Sequence, residues 1–75
     1  MQRIGRVMHV SNSKNLILRA ETLTGLGTRV ADSELKEVGR VVDLFGPVDK
    51  PYVAVKLNVK DPSKYAGQIL YTLED

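Results

Sequence analysis

With 75 residues, the chain is long enough for one small domain with a thin hydrophobic core, and we expect a single domain over residues 1–75. The chain has 11 Lys and Arg residues and 9 Asp and Glu residues, which leave a net charge of +2. Positive and negative residues are interleaved along the chain, which indicates a solvated surface. A protein that binds nucleic acid alone usually carries a basic stripe instead. The absence of cysteine excludes disulfides and thiolate metal sites. Because the sequence has no long apolar segment, we expect neither a membrane span nor a signal peptide, and we expect a soluble intracellular protein with no metal or cofactor.

The first part of the chain is predicted to form a β-hairpin followed by a loop. Short β-branched and aliphatic runs between turn residues are typical of all-β proteins. A first strand is predicted over 3–10, where Gly5 indicates a bulge or a close approach of another backbone. The turn sequence SNSK, 11–14, joins it to a second strand over 15–20, and a loop follows over 21–32.

The middle of the chain contains an ambiguous segment. That loop leads into a short strand around 29–31. The first residues of 33–46 could begin a helix, but Gly39 and the two valines that follow it favour a strand over about 37–45.

The last part of the chain is predicted to hold two more strands. Residues 51–58 alternate as in a half-buried strand. One face of that strand carries Val53, Val55 and Leu57, and the other carries Ala54 and Lys56. Residues 59–67 are predicted to be a loop, with one 3₁₀ turn after Pro62, and 68–74 the final strand.

These elements leave no room for a helix that could cover a sheet. An open sheet of this size would expose one apolar face to water, whereas closure hides that face and removes the strand edges. We therefore predict an all-β fold, a small six-stranded antiparallel β-barrel.

Three features that could belong to a catalytic or ligand site are interpreted as structural. The GLG sequence at 25–27 resembles the start of a phosphate-binding loop, but a strand and not a helix follows it, which favours a plain turn. His9 has no cysteine or second histidine with which to bind a metal. Asp43 is interpreted as a backbone acceptor at a turn or a rim charge, because the chain carries no acid–base constellation and is not expected to be an enzyme.

The stretch DLFGPVDKPYVAVK, 43–56, is the most informative part of the sequence. Pro47 and Pro51 stiffen a connection between two strands, with the exposed tip between them. The flanking residues are more apolar and aromatic than the end of a solvated hairpin requires. Two interpretations stay open at this point: local core packing, or a preorganised contact surface that loses little entropy on binding.

A longer stretch, VGRVVDLFGPVDKPYVAVK, 38–56, resembles the signature of the GAR family, the small β-barrel subunit of H/ACA ribonucleoproteins that convert uridine to pseudouridine in RNA. The matching positions are Val38, Gly39, Asp43, Phe45, Gly46, Pro47, Val48, Pro51, Tyr52 and Lys56. The resemblance extends more loosely to RIGRVMHV, LILRA and YAGQILYTLED. The chain departs from eukaryotic members because it has no glycine/arginine-rich tail, and from some archaeal members because it ends in LED and not in a basic tail.

The resemblance implies a translation-factor/reductase-isomerase-like barrel that is not itself an enzyme. It implies docking on the catalytic domain of a dyskerin-type pseudouridine synthase without a need for guide RNA. From there the subunit would act on the mobile thumb loop of the synthase, helping substrate RNA to load and product to leave. Guide and substrate RNA would be reached mainly through the complex, in the cytoplasm of an archaeal cell or the nucleolus of a eukaryotic one, with no membrane partner. The isolated chain could form a homodimer through the vacant surface.

Motif and resemblance together select one set of candidate interface residues. They are Leu44, Phe45, Gly46, Pro47, Val48, Pro51, Tyr52 and Val53, with Arg40 and Lys50 at the rim. The alternative is a barrel that binds RNA directly, which would place aromatic side chains on an exposed sheet face for base stacking.

Overall fold

The computed structural model describes residues 2–58 and 61–73, and within these ranges the chain forms six strands and one short 3₁₀ helix. The strands are β1 (Arg3–Val10), β2 (Asn15–Arg19), β3 (Arg29–Ala31), β4 (Glu37–Phe45), β5 (Tyr52–Leu57) and β6 (Ile69–Leu73). The 3₁₀ helix, Pro62–Tyr65, lies between β5 and β6 in the chain. In the same ranges, no helix has the length and apolar character needed to cross a membrane.

The strands close into a barrel in the order β1-β2-β5-β4-β3-β6, and each neighbouring pair is antiparallel. The predicted fold class is therefore confirmed. β5 begins at Tyr52 because the preceding proline has no backbone N–H, although the Pro51 carbonyl still accepts from the amide of Ala20 at 3.0 Å. Residues 59–60 of the predicted loop and Glu74 of the predicted last strand lie outside the described residues.

The interior of the barrel is filled by aliphatic side chains from every strand. The buried cluster contains Ile4, Val7, Leu16, Leu18, Ala20, Val30, Val38, Val41, Val53, Val55, Tyr65 and Leu70. Tyr65 comes from the 3₁₀ helix, which therefore contributes to the core although it is only one turn long. Leu57 packs against this cluster, on the face predicted from the alternation of β5.

Gly5 has both features that the sequence predicted for it. The pairing of β1 with β6 shifts register between Arg3 and Gly5, and the φ angle of Gly5 is +156°. A Cβ atom at this position would collide with the backbone carbonyl oxygen of Arg19. Glycine therefore lets β1 approach the end of β2, where the amide of Glu21 donates to the carbonyl of Ile4 at 2.7 Å.

The GLG sequence at 25–27 forms the predicted turn. The amide of Thr28 donates to the carbonyl of Gly25 at 3.3 Å, and β3 begins at the next residue. No helix N-terminus follows this turn, so it lacks the geometry of a phosphate-binding loop.

Candidate docking surface at the end of a β-hairpin

The candidate site lies where β4 and β5 join. The two strands form a hairpin whose last pair is Phe45 and Tyr52, and the loop 46–51 connects them. The site therefore consists of the end of a two-stranded ladder and the loop that extends from it.

The two aromatic residues of that last pair stack on each other. Their ring centroids are 5.5 Å apart and the ring planes are inclined by 26°. On its other side Tyr52 pairs with Arg19 of β2, whose guanidinium carbon lies 5.9 Å from the Tyr52 ring centroid. Arg19, Tyr52 and Phe45 thus form a row across three neighbouring strands, in which each aromatic ring has a defined neighbour.

The loop backbone packs closely against Tyr52. Gly46 has a φ angle of +92°, and a Cβ atom there would lie 2.8 Å from Cδ2 of Tyr52. A side chain at this position would strain the backbone and displace the ring. Gly46 is therefore required both for the turn and for the position of Tyr52.

Most of the predicted interface residues are exposed or half-buried. Val48 is 99% exposed and Phe45 is 44% exposed, and Pro47 is also exposed. Pro51 and Tyr52 are half-buried. The two rings pack on each other, as the local-packing interpretation requires, but neither belongs to the buried core cluster.

Two predicted interface residues are placed differently. The side chain of Val53 is fully buried in the barrel core, because it lies on the same face of β5 as Val55, and it cannot contact a partner from there. Leu44 is half-buried and packs against the core, so only part of its side chain can contribute to a surface. The name hairpin-end surface is used below for Phe45, Gly46, Pro47, Val48, Pro51 and Tyr52.

The two predicted rim residues lie far from each other. Lys50 is exposed in the loop 46–51, next to the hairpin-end surface. Arg40 pairs with Lys56, four positions along β5 from Tyr52, which corresponds to about 13 Å of strand. Arg40 therefore does not lie at the rim of this surface.

Asp43 accepts a backbone hydrogen bond, as one of the two interpretations predicted, but it does so within β4 and not at a turn. Its Oδ1 accepts a hydrogen bond from the amide of Leu44 at 2.9 Å. At this point β4 has run past the residues that pair with β3, the last of which is Arg40. The carboxylate thus satisfies the backbone N–H of Leu44 in a segment of β4 that pairs with β5 and no longer with β3.

A groove beside the hairpin adds residues that the sequence analysis missed. It has a volume of about 740 Å³ and lies between the loop 46–51, the outer face of β1 and the segment 20–23. Its exposed apolar side chains are Met8, 52% exposed, Leu23, 91% exposed, and Val48. Met8 occupies an outward position next to the inward Val7, so strand alternation could have identified it, whereas no pattern places Leu23.

The charged side chains of the groove are of both signs. Arg6 donates to the carbonyl of Gly67 at 2.7 Å, which fixes its position, and Lys50 lies in the loop. Glu21 forms an ion pair with Arg3 at 3.1 Å, in which both side chains are about half exposed. An apolar centre flanked by charges of both signs is suited to binding a protein surface.

The comparisons with known proteins place the chain in a family without assigning an activity. No protein-family model matches the sequence. A protein of Methanothermobacter thermautotrophicus, described as an uncharacterized protein, is 35% identical over 74 residues, which cover 97% of this chain and 80% of the relative. The chain therefore belongs to the same family as this archaeal protein.

Proposed function

We propose that the chain is a non-catalytic accessory subunit of an archaeal-type H/ACA ribonucleoprotein. It docks on the dyskerin-type pseudouridine synthase in the cytoplasm, through the hairpin-end surface. From there it helps substrate RNA to load and product RNA to leave. The proposal is supported by the resemblance of residues 38–56 to the GAR family signature and by the stack of the exposed Phe45 on the half-buried Tyr52 within that stretch.

The single observation that carries the proposal is the stack of the exposed Phe45 ring on the half-buried Tyr52 ring, next to the loop that carries the exposed Val48. Aromatic side chains often dominate the energetics of protein interfaces. Here Tyr52 is held between Phe45 and Arg19, and the loop backbone packs on it at Gly46. Side chains that are already ordered lose little conformational entropy when a partner covers them, so more of the contact energy remains as affinity.

The groove extends the apolar area available to the synthase. Val48 belongs both to the hairpin-end surface and to the groove, where Met8 and Leu23 are also exposed. A partner that covered the hairpin end could therefore continue into the groove. This would bring contacts from β1 and from the segment 20–23 into the same interface.

The proposed effect on the synthase requires differential contact. A bound subunit shifts the equilibrium of a mobile loop only if it contacts one state of that loop better than the other. A closed barrel with a core from every strand is a rigid support for such a contact. The loop 46–51 presents exposed residues at the end of that support.

The proposal is tested by a pull-down of the purified synthase with the full chain, with and without guide RNA. We expect capture in both conditions, because the surface is apolar and aromatic and needs no RNA bridge. Isothermal titration calorimetry with the same two proteins then gives the affinity. Absence of capture in both conditions would contradict the proposal, and capture that requires RNA would contradict direct docking.

A further inference from the structure

Arg19 presents a charged group to the groove beside the hairpin. Its side chain is exposed, and its guanidinium carbon lies 5.9 Å from the ring centroid of Tyr52. Within residues 2–58 and 61–73, the guanidinium makes no hydrogen bond and no ion pair. A guanidinium carries five N–H donors in a planar fork. The contact with Tyr52 therefore orients Arg19 and leaves these donors available to a partner.

The balance of charge in the groove favours an anionic group on that partner. The groove is lined by three basic and two acidic side chains, those of Arg6, Arg19, Lys50, Glu21 and Asp49. Glu21 is already paired with Arg3, which does not line the groove. Arg6 donates to the carbonyl of Gly67, which is neutral and leaves the charge of Arg6 uncompensated. Asp49 is thus the one lining carboxylate without an ion pair, against three positive charges.

The apolar side chains of the groove favour a protein segment over a nucleic acid. Met8, Leu23 and Val48 are exposed there, and covering them requires apolar groups that a phosphate backbone does not have. None of the lining residues is aromatic, so the groove provides no ring on which a base could stack. Its volume of about 740 Å³ is that of a site for a drug-sized molecule, which is room for a few side chains of one short segment.

We propose that the groove binds a segment of the partner in which a carboxylate lies next to apolar side chains, and that Arg19 holds the carboxylate through paired hydrogen bonds. The apolar side chains of the segment cover Met8, Leu23 and Val48. A guanidinium suits this position because it matches both carboxylate oxygens and is more weakly hydrated than an ammonium group. The inference rests on the proposed function, since it takes the partner to be the synthase, and it adds the chemistry by which the segment is recognised.

The groove and the hairpin-end surface are continuous, so one partner can cover both. Val48 and Pro51 belong to the two of them. Tyr52 pairs with Phe45 on one side and with Arg19 on the other, so the aromatic pair and the guanidinium are neighbours across the strands. The acidic and apolar segment is therefore expected beside the part of the synthase that covers Phe45.

The first test measures the affinity of the purified synthase for the full chain by isothermal titration calorimetry. Arg19→Gln removes the charge, whereas Arg19→Lys keeps the charge and loses the paired donors. The matched control Lys36→Gln removes one positive charge at an exposed position outside the groove.

We expect Arg19→Gln to weaken binding roughly 10- to 100-fold, as loss of a hydrogen bond to a charged group does. Arg19→Lys should lie between that variant and the wild type, and the control should change the affinity by less than about threefold. Thermal unfolding checks that every variant is folded. Equal affinity of the wild type and Arg19→Gln for the synthase would overturn the inference and leave the proposed docking intact.

A second test needs no synthase. Fluorescence anisotropy compares short labelled peptides of alternating glutamate and leucine, of glutamine and leucine, and of glutamate and serine, each with the wild type and with Arg19→Gln. We expect the wild type to bind the glutamate–leucine peptide most tightly and Arg19→Gln to lose that preference. Equal binding of the glutamate–leucine and glutamine–leucine peptides would overturn the inference. Tighter binding of a labelled single-stranded RNA than of any peptide, lost in Arg19→Gln, would overturn it in favour of a nucleic acid. If the synthase does not bind the wild type, the proposed function fails and the peptides alone decide the inference.

Discussion

Phe45 and Tyr52 are opposite each other in the last pair of the β4–β5 ladder, and their rings stack there with 5.5 Å between centroids. Because the pair closes the ladder, the rings lie directly beside the loop that the prolines stiffen. Backbone pairing, ring stacking and loop geometry therefore act on the same two side chains. Substitutions at single positions can separate the effect of each on synthase binding from its effect on folding stability.

The first prediction concerns the aromatic pair itself. Phe45→Ala or Tyr52→Ala should weaken binding to the synthase by about 1–3 kcal/mol, as truncation of interface anchors does. Calorimetry with the purified synthase measures this loss, and circular dichroism reports folding. The matched control is Leu35→Ala, which truncates another exposed apolar side chain in the turn before β4. Unchanged affinity in both aromatic variants would exclude the hairpin-end surface, and unfolding of both would favour the local-packing interpretation.

The second prediction separates exposed from buried valine. Val53→Ala should lower the free energy of unfolding by about 2 kcal/mol, because the side chain is fully buried in the core. Val48→Ala should change it by less than about 0.5 kcal/mol, because that side chain is 99% exposed. Denaturation in urea measures both values. If Val48→Ala destabilised the chain as much as Val53→Ala, the exposed position of the loop 46–51 would be disproved.

The third prediction concerns Gly46. Gly46→Ala should destabilise the chain by about 1–3 kcal/mol, because its φ angle is +92° and the new Cβ would lie 2.8 Å from the Tyr52 ring. It should also weaken synthase binding by displacing that ring. Gly25→Ala is the control, since a Cβ there would have its nearest neighbour, Oγ1 of Thr28, at 4.0 Å. Urea denaturation of both variants checks the difference, and equal stability would refute the role given to Gly46.

The fourth prediction tests repulsion among three basic residues that are paired across neighbouring strands, Arg29 of β3, Arg40 of β4 and Lys56 of β5. Arg40→Gln should raise the melting temperature at low salt, because it removes the like charge between Arg29 and Lys56. The gain should be a few tenths of a kcal/mol and should shrink as salt screens the remaining charges. Differential scanning calorimetry at two salt concentrations measures it, with Lys36→Gln, at an exposed position in the turn before β4, as the comparison. A lower melting temperature at low salt would show that Arg40 is stabilised by its surroundings and not repelled.

The strands and their closure were predictable because local chemistry determines them. Alternation in β5 and turn residues between the strands predicted the elements to within a residue or two, and the shortness of the chain favoured closure. The same alternation placed Val53 on the face of Val55, so its burial could have been inferred before it was assigned to the interface. The assignment to the interface followed the motif and not the strand period.

The line of basic residues across β3, β4 and β5 and the groove beside the hairpin were not predictable, because they depend on register between distant segments. Arg29, Arg40 and Lys56 are separated by other charges in the sequence, and interleaving along the chain suggested a simple solvated surface. Pairing of β3 with β4 and of β4 with β5 brings them into one line. Met8 and Leu23 meet the loop 46–51 for a similar reason, since the barrel closes β1 against β2 and β2 against β5.

The carboxylate of Asp43 has a consequence for self-association. A strand segment with a neighbour on one side is a template onto which another chain can add, and such templates promote fibril formation and aggregation. In this barrel the Leu44 amide already has the Asp43 oxygen at 2.9 Å, so an incoming strand would find that donor occupied. Growth of the sheet from one molecule into the next is thereby disfavoured at the place where β4 outruns β3. The exposed ring of Phe45 thus follows a strand segment in which this backbone donor is not available to a second chain.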